Sequence, residues 1–318
     1  MFHNIAYSAA ARQVIVHRCG LALLPRGSWF RQTHRKRRGV AILQLNGGGT
    51  LEFDDQGNGP VMVFLHGWSL GREAFGKQRR ELSDRYRVVI PDMRGHGNST
   101  KFGRGDGIGT LAGDLEQLLV ELDLTDVILV GWSMGALVAW QTATGPQRGR
   151  IGGIVTIDMV PRVLNGDGWQ HGLRAGTHLY DVDIDLSKMR DDWRAFTRAY
   201  VPMVFASGQA IERREHIDQM LELVGDNDIE SMTNLWHALV HADFVDTVQK
   251  LDIPTLITYG AMSQIYTEEA AAWMDEHIPR SRRVCFTESG HAPHLEEPEH
   301  FNQTLVDFAD ELEQQSND

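Results

Sequence analysis

Gly131-Trp132-Ser133-Met134-Gly135 sets a serine between two glycines in the pattern G-x-S-x-G. The apolar run Val127-Ile128-Leu129-Val130 precedes it, and the helix-forming stretch Ala136-Leu137-Val138-Ala139-Trp140 follows. A strained strand-to-helix turn needs glycine on both sides because strand and helix approach closely, and it lifts the hydroxyl above a sheet. Outside that context, a serine in this pattern is a turn or N-cap residue. A serine hydroxyl is a weak nucleophile at neutral pH; it needs a histidine to take its proton and an acid to orient that histidine. Of the fourteen histidines, His291 in Ser289-Gly290-His291-Ala292-Pro293-His294 is singled out by the glycine before it and by the strand-like run upstream. His294 reads as its structural neighbour.

Positioning such groups requires a rigid scaffold, and from Val40 onward short β-branched apolar runs alternate with helix-like stretches, the mark of a parallel sheet built from βα units. Gln44 to Phe53 reads as an opening hairpin around Asn46-Gly47-Gly48-Gly49. Strands are predicted at Val61–Leu65, Arg87–Pro91, Val127–Val130, Ile154–Ile157, Thr255–Tyr259 and Arg283–Thr287. Fully apolar strands imply helices on both faces of the sheet, with the chemistry at the carboxyl ends of the strands. Between Pro161 and Leu251 the strand signal disappears. That stretch reads as helices and loops carrying Trp169, Tyr180, Trp193, Phe196, Tyr200, Phe205 and Trp236, either a functional lid or an independent module.

His66-Gly67-Trp68, Asp92-Met93-Arg94-Gly95-His96-Gly97-Asn98-Ser99, the Ser133 pentapeptide and Gly290-His291 occur in an order that resembles the α/β-hydrolase superfamily over about residues 40–315. The resemblance implies an α/β fold with a mostly parallel central sheet flanked by helices and a helical lid inserted between strands. It divides the chain into a basic leader (1–39), a hydrolase core (40–160 and 252–318) and a lid (161–251). It also implies that the backbone N–H groups of Trp68 and Met134 form an oxyanion hole, and that Asp92 and Ser99 hold their loop by local bonds.

The chain departs from the family at the acid. The usual place, three residues past the glycine that follows the strand Thr255–Tyr259, holds Ser263, which cannot steady an imidazolium as a carboxylate does. Asp158, at the end of the strand Ile154–Ile157, is the available substitute, as in one subgroup of haloalkane dehalogenases and in cofactor-free dioxygenases of this fold. The order Ser133, Asp158, His291 still runs Ser, acid, His. A strand-end cap is the alternative role for Asp158, and Asp243 and Asp246 are weaker candidates for the acid.

Three functions fit these residues: a serine esterase working through an acyl-enzyme on Ser133 with His291 as general base and acid, a cofactor-free oxygenase or other His-base chemistry, and a non-catalytic binding protein. An intact Ser, His and oxyanion loop speaks against the last. Haloalkane dehalogenation and epoxide hydrolysis need a carboxylate nucleophile where Ser133 stands. Trp68, Trp132 and Trp236 suggest a small to medium apolar acyl pocket, so the expected partner is a small-molecule ester. His66-Gly67-Trp68 and Gly131-Trp132-Ser133 resemble the esterases that demethylate pimeloyl carrier protein, in which basic lid residues hold the carrier. Arg213-Arg214 would be the equivalent here, although Glu212-Arg213-Arg214-Glu215 also reads as a solvated helix face. No cofactor and no metal site are expected, since His237 and His241, spaced i and i+4, lack a third ligand pattern.

The net charge of −12 is unevenly spread. Residues 1–38 hold eight basic and no acidic residues, which leaves −20 for the remainder, a surface that repels phosphate backbones and makes nucleic acid an unsuitable partner. The leader reads as a translated upstream stretch or disordered leader that belongs to no fold, an organellar transit peptide or a basic arm. Cys19 and Cys285 make neither a disulfide framework nor a CxxC site, which points to a reducing compartment, and no apolar run is long enough to cross a membrane. The expected location is the cytoplasm, or an organelle if the leader is a transit peptide.

Overall fold

The structure, a computed structural model, describes residues 40–174, 179–208 and 213–317. The leader lies outside the described residues. The sheet begins with β1 (Val40–Gln44) and β2 (Thr50–Gln56), an antiparallel hairpin. The strands β3 (Val61–Leu65), β4 (Arg87–Pro91), β5 (Val127–Trp132), β6 (Ile151–Ile157), β7 (Thr255–Gly260) and β8 (Ser281–Phe286) follow. The spatial order is β1-β2-β4-β3-β5-β6-β7-β8, with every pair from β4 to β8 parallel.

The helices are α1 (Gly76–Leu82), α2 (Ile108–Glu121), α3 (Met134–Ala143), α4 (Leu179–Asp191), α5 (Trp193–Tyr200), α6 (Arg214–Gly225), α7 (Ile229–Val240), α8 (Val245–Val248), α9 (Glu268–His277), α10 (Pro293–Glu296) and α11 (Pro298–Asn317). Side chains alternate across a strand, and β3 shows the result: Val63 and Leu65 join one hydrophobic cluster, with α2, α3 and α9, while Met62 and Phe64 join the other, with α1 and α11. Both faces are therefore covered, as the continuous apolar strands require.

Helices α4 to α8 all fall between β6 and β7. Met232, Leu235 and Leu239 of α7 share one hydrophobic cluster with β3, β5 and α3, so this cap is packed into the core of the sheet and, among the described residues, has no separate one. β8 differs from its prediction, starting two residues earlier and ending one sooner. It is an edge strand, only partly covered, so Arg282 and Arg283 reach Glu311, Glu268 and Asp275 instead of packing inside.

Candidate active site

β5 ends at Trp132 and α3 begins at Met134, which leaves Ser133 alone at the corner with φ 52° and ψ −120°. A non-glycine residue in that region stores about 1–3 kcal/mol of strain, held only where surrounding structure over-determines it. Here Ser133 N–H donates to the Ile157 carbonyl at 3.1 Å and its own carbonyl accepts from Ala136 N–H at 2.8 Å. Gly135 has no room for a side chain, because a Cβ there would run into the Leu65 carbonyl at the end of β3. The serine is partly exposed, and Met134, as the first residue of α3, carries one of the helix's unpaired first-turn N–H groups.

His291 follows β8 and is 6 % exposed. Its Nδ1–H donates to Oδ2 of Asp158 at 2.7 Å. Its backbone is fixed as well: the N–H donates to the Val204 carbonyl at 2.8 Å and the carbonyl accepts from the Trp132 indole at 2.7 Å. Asp158 sits one residue past β6, buried, at φ 42°. Asp243 and Asp246 are exposed, and Asp243 pairs with Arg162 at 3.8 Å, so neither stands beside His291. Ser263 is not idle: its hydroxyl donates to the same Oδ2 of Asp158 at 2.8 Å.

The loop after β3 is braced by two buried histidines. His66 Nδ1–H donates to the Gly67 carbonyl at 2.8 Å, and its Nε2 accepts from Met93 N–H at 3.0 Å. His96, 4.6 Å away ring to ring, accepts from Ser69 N–H at 3.1 Å through Nε2 and donates from Nδ1 to the Met93 carbonyl at 3.2 Å. Each ring thus needs one bare nitrogen. Burial pushes His66 down to about 4 and His96 well below the usual imidazole value, so both stay neutral at physiological pH. Asp92 and Ser99 are structural as expected, though only Ser99 acts locally, donating to the Asp92 carbonyl at 2.6 Å. Asp92 reaches back to Arg72, accepting its N–H at 2.7 Å and pairing with its guanidinium.

A cavity of about 700 Å³ opens over these groups, lined by Trp68, Trp132, Ser133, Trp236, Tyr266 and His291 among others. Trp68 is the hub of an aromatic cluster, with Trp193, Tyr200 and Trp236 centred 5.6, 5.5 and 5.1 Å from it. Asp185, Lys188, Asp191 and Asp192 of the cap also line this cavity. The cap grips the loop beneath it. Trp68 Nε1 donates to the Met232 carbonyl at 3.0 Å, Asn227 Nδ2 to the Ser69 carbonyl at 2.6 Å, and Tyr200 shares a hydrogen bond with the Ser69 hydroxyl. Burial drives the Tyr200 phenol up to about 12, so it remains protonated. On the other side Glu296, buried, accepts Gly290 N–H at 2.7 Å and Ala206 N–H at 2.8 Å, joining the histidine loop to the cap.

The sequence marks Ser133, His291, Asp158, Trp68, Trp132 and Trp236, and all six gather here. It misses Tyr200 and Glu296, whose roles depend on long-range packing that spacing does not encode, and it reads Ser263 only as a missing acid. Arg213 is turned inward, its Nε 3.3 Å from Glu296, while Arg214 is exposed and 3.9 Å from Asp218. His237 and His241 stack at 4.1 Å, and His241 Nδ1 donates to the His237 carbonyl at 2.8 Å. Among the described residues, no group of three or more His, Cys, Asp or Glu is arranged to hold a metal, and no helix is long and apolar enough to cross a membrane.

Residues 62–304 match the family model described as alpha/beta hydrolase family. The chain is 25 % identical to a pimeloyl-[acyl-carrier protein] methyl ester esterase of Nitrosospira multiformis, over 82 % of this chain and 98 % of that protein. It is 27 % identical to a non-heme chloroperoxidase of Kitasatospora aureofaciens, over 85 % and 99 %. Among solved structures, an esterase from Exiguobacterium antarcticum superposes with a TM-score of 0.78 at 28 % identity, covering 84 % of this chain and 98 % of that one. With three quarters of its length matched and its sheet order in place, the chain belongs to the alpha/beta hydrolase family.

Proposed function

We propose that the protein is a serine esterase acting on small to medium apolar acyl esters, with Ser133, His291 and Asp158 as its triad. The observation that carries this reading is the 2.7 Å hydrogen bond from His291 Nδ1–H to buried Asp158, made on the wall of the cavity that also holds Ser133. With Nδ1–H committed to the carboxylate, Nε2 is the bare nitrogen and faces the task of general base. It takes the Ser133 proton as Oγ attacks the ester carbonyl, then passes that proton to the departing alcohol. Trp68 and Met134 N–H groups receive the negative oxygen of the tetrahedral intermediate, each donor contributing on the order of 10²–10³ in rate. A water molecule, deprotonated by His291, then attacks the acyl carbon; the bond to Ser133 Oγ breaks, the acid leaves, and the imidazolium returns the proton to Ser133.

Helices α4 to α8, within residues 161–251, form the substrate-facing cap, and residues 40–160 and 252–318 the catalytic core. The apolar walls favour an apolar acyl chain. Carrier-protein recognition draws no support from the cap, because Arg213 is committed to Glu296 and the charged residues lining the cavity are Asp185, Asp191 and Asp192 against Arg174 and Lys188. A fluorophosphonate probe should label Ser133, located by peptide mass, and the protein should hydrolyse short p-nitrophenyl esters. Absence of both labelling and hydrolysis would end the esterase reading and leave His-base chemistry on the same residues.

A further inference from the structure

Two strand ends converge on the Nδ1 side of His291. β6 delivers Asp158, whose N–H donates to the Thr258 carbonyl at 2.8 Å, and β7 continues into a turn closed by Ser263 N–H on the Gly260 carbonyl at 3.2 Å. Ser263 is 2 % exposed. Its Oγ lies 2.8 Å from Asp158 Oδ2, the oxygen that already accepts His291 Nδ1–H. The same Oγ receives the N–H groups of Ile265 at 3.2 Å and Tyr266 at 3.3 Å. A hydroxyl has one proton and two lone pairs. With two amide donors aimed at the oxygen, the proton is left with one direction, toward the carboxylate.

We propose that Ser263 is a positioning residue for the reaction: its hydroxyl pins Oδ2 of Asp158 against His291, so that the ends of β6 and β7 build one shared acid position. The inference rests on the reading of Asp158 as the triad acid. Oδ2 cannot swing away from the imidazole without abandoning Ser263, and Asp158 is buried, so a hydroxyl donor is a strong partner for its carboxylate. The serine that stands where the family places its acid is thus wired to the acid that replaces it.

The test is a double-mutant cycle on a p-nitrophenyl ester, using the full chain, Ser263→Ala, Asp158→Asn and the two combined. Ser263→Ala is expected to lower kcat about tenfold, the size of one lost charge-assisted hydrogen bond, with KM changed by less than about twofold. In the Asp158→Asn background the same change should cost less than about twofold, because the carboxylate through which Ser263 acts is gone. Equal losses in both backgrounds, or an undiminished kcat in Ser263→Ala, overturn the proposal. Near-normal activity in Asp158→Asn alone instead overturns the choice of acid, a separate failure. Because Ser263 is buried, an exchange variant, Asp158→Ser with Ser263→Asp, keeps one hydroxyl and one carboxylate at the junction. It should run at least about tenfold faster than Asp158→Ser alone, and no gain overturns the shared position.

Discussion

At the scale of single residues, the role proposed for the carboxylate of Asp158 is one that an amide cannot fill. Asn at 158 keeps the volume and a carbonyl oxygen but loses the charge that holds the imidazole in its working tautomer and steadies it when protonated. Asp158→Asn should lower kcat on the order of a thousandfold or more, with the thermal unfolding midpoint held within a few degrees; activity near that of the unaltered chain rejects the assignment. Ser133 and His291 are legible in the sequence because each sits in a turn whose neighbours, Gly135 and Gly290, have no freedom to be anything else. Gly290 lies against the Phe205 and Ala206 backbone, as Gly135 lies against Leu65. The partnership of Asp158 with Ser263 is not legible. It joins residues 105 positions apart through the pairing of β6 with β7, and only that register, with Ile157 opposite Thr258, brings the two strand ends together.

Elements set what the residues can reach. The central strands are readable because a run such as Val61–Leu65 is buried on both faces and has no competing periodicity, whereas β8 is blurred by its edge position. The cap is legible only as helical. Trp193 and Trp236 look alike in sequence, yet Trp193 is buried with its indole on the Val224 carbonyl, while Trp236 lines the cavity over Ser133 and His291. Which way each points depends on how α5 and α7 seat on the sheet. Trp236→Ala should enlarge the acyl cavity and move the preferred chain length of p-nitrophenyl esters upward by two or more carbons, an estimate from the size of the lost ring; an unchanged chain-length profile places the acyl chain elsewhere. Gly135→Ala should force α3 away from β3 and abolish soluble, active protein, since overpacking against backbone cannot be relieved by a rotamer change. Recovery of folded enzyme with normal kcat from that variant would contradict the close approach.

Across the whole molecule, buried neutral histidines tie stability to pH. His66, His96 and His294 are all pushed down by burial, so the folded chain holds them uncharged while the unfolded chain takes up protons below about pH 6.5. The unfolded state therefore binds more protons as pH falls from about 6.5 toward the folded value of about 4 for His66, and stability present above that window is lost through it. Buried Asp92 and Glu296, raised by burial, act in the opposite sense, favouring the fold as pH drops through the carboxylate range. The histidine effect is read cleanly above that range. Circular dichroism should find the unfolding midpoint several degrees lower at about pH 5.5 than at about pH 7.5, at about 2 °C per kcal/mol for a chain of this size. A flat midpoint would mean that these rings accept protons without disturbing the packing around them.

The hydrogen bonds that join the cap to Trp68, Ser69 and His291 also have a kinetic side. Regions of a protein open at different free energies, and helices resting on a sheet commonly open before the sheet does. Here the Trp68–Ser69 loop and His291, the proposed oxyanion loop and general base, are each tied to the cap, so its loosening takes both away together. Turnover should then fade at temperatures where the sheet is still intact, and an activity assay on gentle warming becomes a thermometer for this one part of the molecule.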